Sequence, residues 1–305
     1  MNDKYGRSLL WEFNNETRVT DSAVTDLARF KSSAVNFKLA LWDPSVNGVR
    51  YLKSLIYDLA MRLSPENRER LDRVRNREVG DPITVRCNGQ TVCMDYLQAV
   101  LELDFIAGRV RMDGLRVLEI GAGYGRTCHT IMSNHDIADY TIVDLDNSLA
   151  LARAYLRSVL DDGQYEKIVF VPVDTVEEAL SHTRFDLCLN IDSFAEMDAS
   201  TVRNYLALVD AHCDHLYVNN PVGKYLDKSL DGHAQGEDVV KLALSTGLLR
   251  DVIDIYDSQA VAARSVAFTA AYRPGTGWRC LADDRAVPWS YYWQALYRNE
   301  TLPGR

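Results

Sequence analysis

The sequence lacks any uninterrupted apolar run near the roughly 18 residues that a membrane-spanning helix needs, so no segment of it reads as a membrane anchor. Near Met1 it also lacks the apolar core of a secretory signal, because Asp3, Lys4 and Arg7 fall where that core would lie. Together these absences point to the cytoplasm. Basic residues are in deficit, with 34 Lys and Arg against 43 Asp and Glu for a formal charge of −9. A nucleic-acid surface normally announces itself through clustered Lys and Arg, so that class is disfavoured. The six cysteines contain no CxxC pair, which removes the commonest zinc and dithiol spacings. Cys188 falls in an apolar run and Cys128 on an expected helix, as small buried hydrophobes of a reducing compartment do. His212, Cys213 and His215 are close in sequence, but they straddle a helix end and a strand start. Their side chains need not converge, and no metal site is assigned to them.

What remains is an ordinary globular composition. With 305 residues, 47% of them hydrophobic, the chain can bury one large core or two modest ones. From Arg116 onward, short apolar runs alternate with amphipathic segments. The runs are RVLEI (116–120), YTIVDL (140–145), KIVFVPV (167–173), FDLCLNI (185–191) and HLYVNN (215–220). They are β-branched and nearly continuous, as strands buried on both faces are. Helical patterns fill the gaps from Arg126 to Asn134, Ser148 to Leu160, Val176 to Ser181 and Ser200 to His212. Strand alternating with helix predicts parallel strands, right-handed crossovers and a doubly wound α/β sheet. A helix over Glu237 to Leu248 then leads into DVIDIYD (251–257), and SVAFTAAYRP (265–274) follows. Two such segments without a helix between them predict an antiparallel pair, with an antiparallel seventh strand at the edge.

The first 110 residues read as a mainly helical cap, and residues 111–305 as the sheet domain. Asp21 to Leu41 and Val49 to Leu63 show helical spacing. Ser64-Pro65 opens another helix, as N-cap and first-turn proline. ITVRCNGQTVCM (83–94) predicts a β-hairpin around Asn88-Gly89, in which Cys87 faces Gln90 and a cross-strand disulfide is not expected. A helix from about Asp95 to Ile106 feeds the first sheet strand.

The chemistry centres on VLEIGAGYGRTCHTI (117–131). Gly121, Gly123 and Gly125 lie where a strand turns into a helix, so free N–H groups and the positive helix end face a ligand across Ala122 and Tyr124. A dinucleotide loop would have its third glycine at Arg126. Glu119 is unwelcome beside a pyrophosphate but suits a ligand that carries positive charge. Asp144, followed by Leu145, ends the second strand, where an acidic residue accepts ribose hydroxyls. After the third strand Asp174 and Thr175 can meet an adenine edge, and after the fourth Asn190 and Asp192 face the same crevice.

The pattern hhEhGxGxG, the acid after strand two and the antiparallel last strand resemble the class I S-adenosylmethionine-dependent methyltransferases from Arg116 to Pro274. The resemblance implies a Rossmann-like seven-stranded sheet and S-adenosylmethionine as cofactor. EIGAGYGRT, YTIVDL and NIDSFAEM, with the upstream DYLQAVLELDFI, are similar more narrowly to the sugar O-methyltransferase family. That likeness implies that Glu119, Gly121, Gly123 and Asp144 hold the cofactor and that NIDSFAEM lines the methyl-transfer side. The implied partner is a small-molecule acceptor, a sugar or glycosylated metabolite; composition leaves a homo-oligomer open.

A sugar hydroxyl needs a base, worth roughly 10²- to 10⁴-fold in rate. Asp192, Glu196 and His233 are the candidates. Asp192 and Glu196 share one face if a helix has begun there. His233 sits in the polar loop after strand five. Oxygen-rich Asp and Glu sites can also hold Mg²⁺ with few protein ligands, though no strong ligand pattern is present. His129 reads as packing, and Tyr124 as either a cover for the methionine moiety or a shield for the strand end. The rivals are a small-molecule N-, C- or phenolic O-methyltransferase, a non-catalytic scaffold and a nicotinamide oxidoreductase. The intact glycines and Asp144 speak against the scaffold. Glu119 and the displaced third glycine speak against the oxidoreductase.

Overall fold

A computed structural model describes residues 8–17, 25, 28, 31, 42–225 and 227–301. The helical spacing expected from Asp21 to Leu41 lies almost wholly outside the described residues. Helices Leu9–Thr17, Pro44–Arg62 and Pro65–Arg73 lead into a hairpin of β1 (Thr84–Cys87) and β2 (Gln90–Cys93), followed by the helix Met94–Ala107. Ser64 caps its helix by accepting the Asn67 N–H at 3.1 Å, with Pro65 in the first turn. Asn88 and Gly89 both take positive φ, which closes the two-residue turn and pairs Cys87 with Gln90 and Thr84 with Cys93. Ile56, Leu71, Val74, Tyr96 and Leu97 close a small core between these helices and the hairpin.

The remaining strands are β3 (Arg116–Ile120), β4 (Asp139–Asp144), β5 (Ile168–Pro172), β6 (Phe185–Ile191), β7 (Cys213–Pro221), β8 (Trp278–Arg285) and β9 (Tyr292–Asn299). They form one sheet in the order β5-β4-β3-β6-β7-β9-β8. The first five run parallel, and β9 runs antiparallel to both of its neighbours. Successive residues of β3 serve opposite faces, as the pleat requires. Val117 joins a core with the helices Arg126–Asn134 and Asp146–Val159, and Leu118 joins one with the helix Ala199–His212. This is the Rossmann-like fold of class I methyltransferases, with a helical N-terminal region. Among the described residues no helix is long and apolar enough to cross a membrane.

The last two strands differ from expectation. Residues 251–257 carry only a bridge from Val252 to Lys224. Asp254 and Asp257 turn the chain there by accepting the N–H groups of Tyr256 and Gln259. Ser265–Ala271 is a helix: Phe268 and Tyr272 are buried four residues apart, and Val266, two residues before Phe268, is 77% exposed. The antiparallel seventh strand is therefore β9, and it is inserted between the fifth and sixth strands instead of lying at the edge. The edge strand is β8, whose outward side chains hid its strand character; charged residues are how sheet edges resist further pairing. Phe268→Ala is expected to cost about 3–5 kcal/mol in denaturant unfolding, whereas Val266→Lys changes stability by no more than about 0.5 kcal/mol. A strand would place Val266 on the same face as Phe268, and both substitutions would then destabilise.

Candidate functional site

Each glycine of the loop after β3 has its own steric reason. At Gly121, a Cβ would fall 2.1 Å from Ser193 Oγ, so the loop and the segment after β6 touch backbone to side chain. At Gly125, which starts the helix Arg126–Asn134, a Cβ would lie 2.8 Å from Leu156 of the next helix. Gly123 differs: its φ is +58°, and nothing lies within 4 Å of where a Cβ would stand. The middle of the loop is open to a ligand.

Asp144, at the end of β4, braces this opening. Its Oδ2 accepts the Gly123 N–H at 2.9 Å, and its Oδ1 accepts the Leu145 N–H at 2.7 Å. Both oxygens retain a further lone pair. Glu119 is buried under the loop, where it accepts the Tyr140 hydroxyl at 2.7 Å. Burial pushes its carboxyl up to about 7, against the opposing pull of Tyr140, Arg126 and Thr127. The Arg126 guanidinium is already engaged, at 2.8 Å from Glu102 Oε2 and 3.2 Å from the Asp95 carbonyl.

These groups border a cavity of about 450 Å³ at the carboxyl ends of β3 and β6. Glu119, Gly121, Ala122, Gly123 and Tyr124 form one wall, and Asp192, Ser193 and Glu196 another. Asp95 and Gln98 reach in from the helix Met94–Ala107, and Trp289, Tyr291 and Tyr292 from the start of β9 and the residues before it. Tyr124 donates to Asp95 at 2.9 Å. Asp192 and Glu196 do not share a helix face. A single 3₁₀ turn, Ser193–Ala195, separates them, and the helix begins only at Ala199. Burial and then the charge of Asp192 push the Glu196 carboxyl up, with Lys224 opposing. Lys224 is itself buried and shifted down by that burial; its Nζ donates to the Ala195 carbonyl at 2.9 Å and to Thr246 Oγ1 at 3.2 Å.

Other residues singled out in the sequence stand away from the cavity. Asn190 is fully buried behind its wall, donating to the Ile120 carbonyl and Ser193 Oγ and accepting from Asn220. Gly125, Asp144 and Leu145 lie next to the cavity without lining it, and Asp174 and Thr175 are exposed after β5. His233 lies between the helices Lys228–Asp231 and Glu237–Ser245 and does not reach the cavity. His129 is buried against Tyr96 at 2.7 Å, and burial pushes its imidazole down to about 4, as a packing residue. His212 and His215 hold separate carbonyls, those of Thr183 and Asp186. Among the described residues, no three His, Cys, Asp or Glu side chains gather closely enough to ligate one ion.

No protein-family profile matches the chain, and no curated protein matches it. Solved structures are similar to it at low identity. The pyocyanin biosynthetic protein PhzM aligns with a TM-score of 0.43 and 14% identity over 65% of this chain and 54% of its own. The glycopeptide N-methyltransferase MtfA, complexed with sinefungin, aligns at 0.44 and 16% over 68% of this chain and 87% of its own. An O-methyltransferase family 2 protein from Planctomyces limnophilus, in complex with apigenin, aligns at 0.43 and 11% over 67% and 58%. The chain thus spans little more than half the length of two of these proteins. At these levels the likeness is one of fold alone.

The sequence reading missed Asp95, Gln98 and the aromatic collar. Trp289, Tyr291, Tyr292 and Trp293 stand out as an aromatic cluster, but they follow Pro274, beyond the stretch that carried the resemblance.

Glu119 makes the cavity testable without any ligand. A carboxyl raised from 4.5 to about 7 on folding stabilises the folded state fully below pH 4.5, and that contribution is lost as pH rises through 7. Its full size is about 3 kcal/mol. Urea unfolding of the ligand-free protein across this range should show the decline, and Glu119→Gln should flatten it by that amount.

Proposed function

We propose that the chain transfers a methyl group from S-adenosylmethionine to a small-molecule acceptor bound in this cavity. The observation that carries the reading is the charge of the walls around the open glycine. Asp95, Glu119, Asp192 and Glu196 line the cavity, and its guanidinium, Arg126, is already paired with Glu102. Such a field favours a sulfonium and an ammonium and repels a pyrophosphate. The residues present fit that cofactor. A buried carboxylate without a cation of its own waits beside a loop whose middle is open.

When bound, the cofactor supplies an electrophilic methyl on sulfur. Glu119 and the loop Gly121–Gly125, with Ala122 and Tyr124, hold its amino-acid end. Asp144 has lone pairs left for ribose hydroxyls. Leu145, 61% exposed, offers an apolar face to adenine, with Asp174 and Thr175 at its edge. Asn190 acts behind the wall by fixing Ser193 against Gly121. Residues 1–110 bring Asp95 and Gln98 to the acceptor side, and residues 111–305 carry the cofactor side. The acceptor heteroatom forms its bond to the methyl carbon as the carbon–sulfur bond breaks, its electron pair staying on sulfur. Asp192 or Glu196 takes the acceptor's proton; burial and the charge of Asp192 raise the proton affinity of Glu196. His233, off the cavity, has no part in this step.

The acceptor implied by the sequence resemblance is a sugar hydroxyl. The surplus of carboxylates beside an aromatic collar favours a second reading, an amine on a ring-bearing natural product, since such walls attract a cation. Methyl-labelled S-adenosylmethionine incubated with p-nitrophenyl β-glucoside, catechol and tyramine should label one of them. The glucoside supports the sugar reading and tyramine the second; label left in the cofactor with all three contradicts both. Asp144→Ala should weaken binding of S-adenosylhomocysteine by about 1.5–3 kcal/mol, from the loss of charge-assisted hydrogen bonds. Glu196→Gln should leave that affinity unchanged and lower turnover.

A further inference from the structure

Asp192 is held in an unusual way. It directly follows β6 with φ +67° and ψ −39°, a region that residues other than glycine rarely occupy. Its N–H donates to the Asn219 carbonyl at 2.8 Å and its carbonyl accepts from Ala195 at 3.0 Å, so the neighbouring strand and the following turn impose that backbone. Strained residues of this kind persist where surrounding structure over-determines them, and they gather at functional sites. The result is a carboxylate aimed across the cavity mouth toward β9.

On β9 it meets a single donor. The Tyr292 hydroxyl donates to Asp192 Oδ1 at 2.5 Å, and Oδ2 has no hydrogen-bond partner among the described residues. Tyr292 is itself fixed. It pairs with Pro221 in register, its carbonyl accepts from Ala286 at 2.9 Å, and its ring packs against Tyr291 and Trp289. Burial and then the neighbouring carboxylate keep its phenol protonated well beyond the ordinary range, so it remains a donor. Glu196, Lys224, Tyr272 and Tyr291 are the other charged or titratable groups that face Asp192, and none of them hydrogen-bonds to it.

We propose that Tyr292 is the positioning residue of Asp192: it holds one carboxylate oxygen so that the other faces the acceptor. The inserted antiparallel strand, three places from β3 in the sheet, thereby acquires a role in the site that the glycine loop also borders. A carboxylate otherwise free to rotate would lose alignment with the acceptor proton, and misplacement by about 1 Å can cost about 10²-fold in rate. The inference rests on the methyl-transfer reading for its kinetic consequence and on geometry alone for the pairing.

The test compares full-length protein with Tyr292→Phe, Asp192→Asn and the double variant. The side-chain carboxyl ¹³C resonance of Asp192, assigned by its loss in Asp192→Asn, should move in Tyr292→Phe. Turnover of whichever of p-nitrophenyl β-glucoside, catechol and tyramine is methylated should fall about 10-fold or more. KM and affinity for S-adenosylhomocysteine should stay within about two-fold of the parent, because only alignment is lost. Adding Tyr292→Phe to Asp192→Asn should cause no further loss. An unmoved resonance or full turnover in Tyr292→Phe overturns the proposal, and so do losses that multiply in the double variant, which would make Tyr292 a wall residue. A moved resonance in a protein that methylates none of the three probes upholds the pairing and counts against methyl transfer, so the two failures are distinct.

Discussion

The buried ion pair between Glu102 and Arg126 is the contact on which the site depends. Glu102 is almost fully enclosed, and it accepts from Arg126, from Gln98 and from Asn219 of β7. Two elements from elsewhere in the chain, the helix Arg126–Asn134 and β7, therefore converge with Glu102's own helix on one carboxylate. Removing either charge would leave the other buried and unpaired, at a cost of about 3–5 kcal/mol. The geometric consequence matters more. The pair pins the helix Met94–Ala107 over the carboxyl ends of the strands, which brings Asp95 and Gln98 to the cavity. It also occupies the guanidinium that would otherwise balance Glu119.

That commitment explains the character of the pocket. A glycine loop and a helix start create a positive end that any anion could use. Here a buried carboxylate lies directly beneath the loop, with its proton affinity raised by burial. In the proposed reading, this combination suits a ligand with positive charge close to the loop and hydroxyls farther out, near Asp144. Opposite this, the collar of Trp289, Tyr291 and Tyr292 gives the mouth an apolar rim.

Much of this was legible in the sequence, and the failures have physical causes. The parallel strands announce themselves because strands buried on both faces must be continuously apolar, as in FDLCLNI. The glycines, Glu119 and Asp144 are read from spacing because a backbone cradle tolerates few alternatives. The edge of the sheet is less legible. SVAFTAAYRP has enough apolar residues for a strand, yet only Phe268 and Tyr272 are buried, and their spacing is helical. β8 offers the opposite ambiguity, since an edge strand is paired on one side and carries WRCLADDR without a clear period. Misplacing these elements put the antiparallel strand at the edge and removed its tyrosines from view. The partners of Asp192 could not be read from NIDSFAEM, since the hydroxyl that holds it comes from β9.

The central claim is that the cavity over Gly123 accepts a cationic nucleoside and rejects a dinucleotide. Isothermal titration of the purified protein with S-adenosylmethionine, S-adenosylhomocysteine and NAD, each alone, tests it most directly. The account predicts micromolar binding of the first two and no heat from the third. Binding of NAD, or of none of the three, would contradict it.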